Sequence, residues 1–93
     1  TFWNMANETK LIKILVLTTN QILISQIEEV GADIGEPDCK LVDPYLITKD
    51  GTLEPWLLNV TREDTFMMSS DKILTLTDPT PTLLEKYEDL TKG

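Results

Sequence analysis

The chain has 93 residues, with 16 acidic and 8 basic side chains and a formal net charge of −8. That length makes one domain, which buries about 65% of its unfolded surface in one modest core. The acidic balance excludes broad, nonspecific phosphate binding, which needs a basic face, but leaves room for a local basic spot, and an apolar content of 41% excludes wholesale disorder.

No apolar run approaches the roughly 20 residues that span a bilayer, and no signal peptide is visible. The lone cysteine, Cys39, allows no disulfide within the chain. The lone cysteine fits a reducing compartment, and the expected location is the cytoplasm, with no membrane partner expected. The glycosylation-type triplets Asn7-Glu8-Thr9 and Asn59-Val60-Thr61 read as chance without an export signal. Residues 1–10 form an arm or a remnant. Met5 opens an ordinary-looking start, so Thr1–Asn4 is either a cloning or reading-frame leftover or a native arm anchored by Phe2 and Trp3.

The first strand is predicted in Leu11–Asn20. Ile12, Ile14 and Val16 share one face, and Leu11, Lys13, Leu15 and Leu17 share the other. Thr18–Gln21 turns the chain, and Ile22–Val30 returns as the second strand of a hairpin. Gly31–Pro37 is a loop. Cys39–Ile47 is the third strand, and Pro44, which has no backbone donor, belongs at an edge, a bulge or a sharp bend. Thr48–Thr52 contains Asp50-Gly51, the strongest turn signal in the chain.

Leu53–Val60 resumes the extended pattern and is interrupted at Thr61–Asp64, so a bent fourth strand or two short pieces fit. Thr65–Ser70 and Lys72–Thr77 are expected to form a last hairpin that turns near Ser69–Asp71. Asp78–Pro81 ends the sheet. A C-terminal helix follows, with capping-box spacing at Thr82 and Glu85. Its apolar stripe is Leu83, Leu84, Tyr87 and Leu90, and Glu88 and Lys92 are spaced for a weak ion pair. The chain is therefore mainly β. Residues 11–79 form a small five-stranded, bent SH3-like barrel, with an OB-like barrel as the nearest alternative, and residues 80–93 hold the helix.

Two segments resemble a known family. "LTTNQILISQI" followed by "CKLVDPYLI" resembles the first motif of Sm-like (LSm) proteins, and "MMSSDKILTLTDP" resembles the second. Ser25 stands where that family usually has glycine. Lys40 stands at its Asn position, ahead of Leu41-Val42-Asp43. Ser69-Ser70-Asp71-Lys72 occupies the turn that usually reads Arg-Gly-x-Asn. The likeness covers roughly Leu11–Pro79 and in particular resembles the divergent Sm-like proteins attributed to marine cyanophage, so the localisation it implies is the host cytoplasm. The helix departs from the family pattern, because Sm-like proteins usually carry theirs before the first strand.

The resemblance implies a homo-oligomeric ring of about five to seven subunits, in which the last two strands pair between neighbours and leave no open edge. Phe66, Met67, Met68, Ile73, Leu74 and Leu76 would then serve the subunit interface, with core filling as the alternative for the methionine pair. It also implies single-stranded RNA binding or RNA-chaperone activity at the pore. The positions carried over are Pro37 to Lys40, preceded by the acid Glu36, in one loop and Ser69 to Lys72 in the other, and the candidate RNA-binding residues among them are Glu36, Pro37, Lys40, Ser69, Ser70 and Lys72. No aromatic stacker stands at Pro37, Asp38 or Cys39, and Ser69-Ser70 replaces Arg-Gly, so the usual base pocket is absent or rebuilt. Lys40 and Lys72 would instead form two circles of positive charge for phosphate oxygens. Alternatively, Lys40 pairs with Glu36 or Asp38, and Lys72 with Asp71, in surface ion pairs of little energy.

Tyr45 and Trp56 are further stacking candidates, with core or interface packing as the alternative. Catalysis is not expected. The chain has no histidine, and Cys39 has no imidazole partner. Asp38, Asp43 and Asp50 match no calcium loop, so neither a metal nor another cofactor is expected. The competing reading is a homo-oligomeric protein-binding or structural scaffold without nucleic-acid affinity.

Overall fold

The computed structural model describes residues 11–91. The expected arm at residues 1–10, with its Asn7-Glu8-Thr9 triplet, and Lys92 lie outside the described residues. Strand β1 spans Ile12–Leu17, β2 Ile22–Glu29, β3 Cys39–Ile47, β4 Leu53–Pro55, β5 Thr65–Met68 and β6 Ile73–Thr77, and helix α1 spans Pro81–Thr91. The fold is mainly β, a small barrel-like antiparallel sheet with a C-terminal helix.

The sheet runs β4-β3-β2-β1-β6, and β5 joins the same edge of β3 as β4. β4 pairs with Tyr45–Ile47, and β5 pairs with Cys39–Val42. The expected fourth strand is therefore two short pieces laid along one long strand. β5 and β6 sit at opposite ends of a five-strand order. In a flat sheet they would lie about 19 Å apart, given strand spacings near 4.8 Å. Only a single 3-10 turn at Ser70–Lys72 connects them. A turn that rises about 2 Å per residue bridges them only if the sheet curls.

The curl has a local cause. Between β2 and β3 the register shifts, with Gln26 opposite Val42 and Ile24 opposite Tyr45. Asp43 and Pro44 thus oppose the single residue Ser25, which makes a β-bulge. Pro44 has no N–H to lose, and Asp43 adopts φ 53°, which an Asp tolerates better than most residues. Ser25 is fully buried. Its hydroxyl lies 2.9 Å from the Gln26 carbonyl and 3.1 Å from the Val42 carbonyl and donates into the bulge.

The core lies inside the curl. Leu15, Leu17, Leu23, Ile27 and Leu41 form its centre, with Leu11, Leu46, Trp56, Met68, Ile73 and Leu76 packed around them. Each fully buried side chain of this kind contributes about 1.5–3 kcal/mol. Lys13, on the same side of β1 as these leucines, ion-pairs with Asp78.

Helix α1 packs on the bulge from outside. Tyr87 is its one buried residue. The Tyr87 hydroxyl accepts from the Gln26 N–H at 3.0 Å and lies 2.8 Å from the Asp43 carbonyl and 3.1 Å from the Val42 carbonyl. It therefore serves backbone groups that the interrupted ladder leaves over. Its ring meets Tyr45 edge-on at 5.8 Å. Burial pushes the phenol up to about 12 from its ordinary 10.0, so it stays protonated and able to donate at neutral pH.

Four expectations need correction. Leu53–Val60 is not one strand. After Pro55 the chain turns, Leu57 takes φ 61°, and its carbonyl accepts from both Val60 and Thr61 at 3.1 Å. β5 and β6 do not form a hairpin with each other. β5 pairs with β3 and β6 with β1, because the turn between them is a barrel connection. The helix cap is Thr80 rather than Thr82. Its hydroxyl accepts from the Leu83 N–H at 3.3 Å, and Pro81 fills the first helical position, where a missing N–H costs nothing. Leu90 is 52% exposed and lies outside the buried stripe.

Replacing Tyr87 by Phe keeps the ring but strands the Gln26 N–H and the bulge carbonyls. The expected loss is about 1–3 kcal/mol in urea unfolding at pH 7. The hydroxyl's contribution is fully present below pH 10 and is lost as pH rises through about 12. The variant therefore lacks that part of the alkaline destabilisation.

Candidate functional site

The residues expected to bind RNA fall on two segments that the fold brings into contact. The β2–β3 loop is pinched at its neck, where the Val30 N–H donates to the Asp38 carbonyl at 3.0 Å. Glu36 and Pro37 are exposed on that loop. The second segment is the 3-10 turn between β5 and β6. Ser69 caps it, and the Lys72 N–H donates to the Ser69 carbonyl at 3.1 Å.

Asp38 joins the two segments. Its carboxylate accepts from the Ser70 N–H at 2.7 Å and from the Ser70 hydroxyl at 2.8 Å. The backbone N–H of Ser70, and then its hydroxyl, hold the Asp38 carboxyl below its ordinary 3.8. The far side of the turn is tied as well, because the Thr18 N–H donates to the Lys72 carbonyl at 2.9 Å. The turn is thus fastened to two different loops at one end of the barrel. Asp38 falls within the carried-over positions, but the sequence offers it only as a partner for Lys40 and not as a link to Ser70. An acid just before a strand is a common turn signal, and only the curled sheet reveals its partner.

The two lysines differ. Lys40 is half-exposed on β3 and pairs with Glu28, its neighbour across the ladder, at 3.4 Å. The anticipated partners Glu36 and Asp38 are not the ones used, because the antiparallel register places Glu28 beside Lys40. A pair this exposed is worth about 0–1 kcal/mol and yields readily to a competing anion. Lys72 is exposed and makes no ion pair among the described residues, with Asp71 or any other acid.

The expected interface residues divide by face. Met68, Ile73 and Leu76 pack against the core cluster. Phe66 meets Trp56 at 5.7 Å, with the rings at 73°. Met67 and Leu74 point outward, 51% and 63% exposed. Among the described residues, β5 pairs only with β3 and β6 only with β1, so each keeps one open edge. The stacking candidates are engaged too: Trp56 contacts the core and Phe66, and Tyr45 contacts Tyr87.

A family model described as a family of unknown function (DUF6561) matches residues 10–92. The chain belongs to this family. No curated protein matches it.

In this family member Cys39 is buried. Burial first, and then the charges of Asp38 and Glu29, push its thiol up to about 11, which favours the protonated thiol at neutral pH. Asp38, Asp43 and Asp50 lie on a loop, a bulge and a turn, respectively. Among the described residues no group of three or more His, Cys, Asp or Glu is arranged to hold a metal ion, and no helix is long and apolar enough to cross a membrane.

The Asp38 clamp has a definite pH dependence. A carboxyl lowered in the folded state contributes stability above its unfolded value, and the contribution is lost as pH falls through the lower folded value. Asp38→Asn keeps an acceptor for Ser70 but removes the titration. Thermal unfolding between about pH 5 and pH 2 should show a shallower loss of Tm in the variant than in the unmodified chain.

Proposed function

We propose that the protein is an Sm-like barrel that assembles into a homo-oligomeric ring of about five to seven copies and binds single-stranded RNA at the lysine-bearing end of that ring. The supporting observation is the pair of strand edges at β5 and β6 that are open among the described residues, on strands that each carry an exposed apolar side chain, Met67 and Leu74. An open edge with apolar side chains invites pairing with another chain. Edge-to-edge closure around a ring satisfies every copy in the same way.

The RNA contact in this reading is a phosphate contact. Asp38 already occupies the Ser70 N–H and hydroxyl, so the turn cannot offer those donors to a base. Lys72 makes no ion pair among the described residues, and Lys40 is held only by a surface pair with Glu28. Repeated around a ring, the two lysines supply point charges without base reading. No catalytic step belongs to this reading, and the assembled ring would work in the cytoplasm.

A second reading is a ring that serves as a protein-binding or structural scaffold. The formal charge of −8 and the Glu28 carboxylate on Lys40 favour it.

Native mass spectrometry, with and without oligo-U and oligo-A, tests both readings. The expected species is a closed oligomer that Leu74→Lys converts to folded monomers. On the first reading the ring gains RNA stoichiometrically, Lys40→Ala and Lys72→Ala weaken that binding, and affinity falls steeply with salt. A ring that ignores both oligonucleotides supports the scaffold. A monomer at every concentration refutes assembly and both readings with it.

A further inference from the structure

The 56–64 segment, which takes the chain from β4 to β5, covers a cavity that the ring and RNA reading leaves unused. Its volume is about 210 Å³. Tyr45, Trp56 and Phe66 supply aromatic walls, and Pro44 and Pro55 supply apolar ones. The polar lining is uneven, with Asp43, Glu63 and Asp64 set against Arg62. Arg62, Glu63 and Asp64 are the exposed charged residues of the lining. Leu58, also in the lining, is 62% exposed.

The wall is strained. Leu57 takes φ 61°, a left-handed conformation unusual for leucine. The Trp56 Nε1–H is buried with no acceptor among the described residues. A positive-φ leucine beside an orphaned donor marks a segment held in place against local preference, which is characteristic of binding sites. Because the indole N–H is covered, Trp56 offers a ligand its ring rather than its donor.

We propose that this cavity binds an arginine side chain presented by an extended segment of a partner protein. Aromatic faces attract a cation through their negative quadrupole. The carboxylates of Glu63 and Asp64 supply charge-assisted acceptors in the lining. Arginine suits the site better than lysine, because its planar head both stacks and forms paired hydrogen bonds. A nucleotide is disfavoured by three carboxylates against one guanidinium. The chain's net charge of −8 draws a basic partner in from solution. This proposal does not depend on ring formation or on RNA binding, and its test is read at different residues.

The test is an NMR titration of the full chain with acetyl-Gly-Arg-Gly-amide, and with the same peptide carrying citrulline, which keeps the shape of arginine without its charge. The expected result is saturable shifts at the Trp56 indole and the amides of residues 61–66, with a Kd of about 0.1–5 mM for so small a probe. The citrulline peptide should bind at least about tenfold more weakly, and so should the arginine peptide to the double variant Glu63→Gln/Asp64→Asn. Both substitutions preserve side-chain shape, and Asn keeps an acceptor for the Thr65 hydroxyl that Asp64 receives at 3.2 Å. Equal binding of the two peptides, unchanged binding by the variant, or no saturable shift overturns the proposal. Saturable shifts of the same signals with oligo-U overturn it in favour of base stacking. Dissociation of an oligomer by the double variant overturns it in favour of a second copy of the chain.

Discussion

The bulge at Asp43–Pro44 is the constraint on which the rest of the structure depends. Two residues of β3 oppose one of β2, and the sheet bends there. The bend interrupts the backbone ladder, and a buried break in a ladder costs a few kcal/mol unless something fills it. Ser25 approaches from within and Tyr87 from the helix side, and the two hydroxyls share the Val42 carbonyl. A small side chain is required on the inner side because the strand turns over it. A long side chain with a polar tip is required on the outer side because the helix must reach across. The C-terminal helix is therefore part of the barrel's closure, even though most of its surface is exposed.

Closure in turn builds the candidate site. Without the bend, β5 and β6 would stand at opposite ends of a flat sheet, and Ser70 would be far from Asp38. With it, one 3-10 turn spans the gap and is fastened to the β2–β3 loop by Asp38 and to the β1–β2 turn by Thr18. Among the described residues, the same closure leaves the outer edges of β5 and β6 open. Barrel bending, loop convergence and edge exposure thus share a single geometric cause, which can be traced to the Asp-Pro dipeptide in β3.

This hierarchy explains what could be read in the sequence. Strands β1 to β3 are legible because alternation and turn chemistry are local: Ile12–Leu17, Ile22–Glu29 and Cys39–Ile47 each lie between recognisable turns. The bulge is partly legible, since proline inside a strand demands one of a few exceptions. What fails to show is pairing that depends on the closed barrel. β5 and β6 look like a hairpin because only a turn separates them, and nothing local says that each pairs elsewhere. The break after Pro55 is obscured because Trp56, Leu57 and Leu58 continue an apolar pattern through a turn. For the candidate site, sequence locates both loops and both lysines, but not Asp38 as their link or Glu28 as the partner of Lys40. Those contacts follow from cross-strand register and curl.

The placement of the exposed apolar side chains is the last step. A barrel of this size has a small interior, and Leu15, Leu17, Leu23, Ile27 and Leu41 with their neighbours fill it. Apolar residues beyond that number must face outward, and scattered singly they would need no explanation. Ile22, Ile34 and Leu90 are of this single kind, but the other five fall into two groups. Met67 and Leu74 sit on the two strands with open edges, while Leu57, Leu58 and Val60 cluster on the strained segment beside the aromatic cavity. The first pair is suited to main-chain pairing, where side chains only accompany the ladder. In the second group Leu58 lines a concave pocket that also carries charged residues, which suits insertion of a side chain. The two surfaces differ in character, and each matches one of the contacts proposed above: edge pairing between copies of the chain, and a partner that brings positive charge.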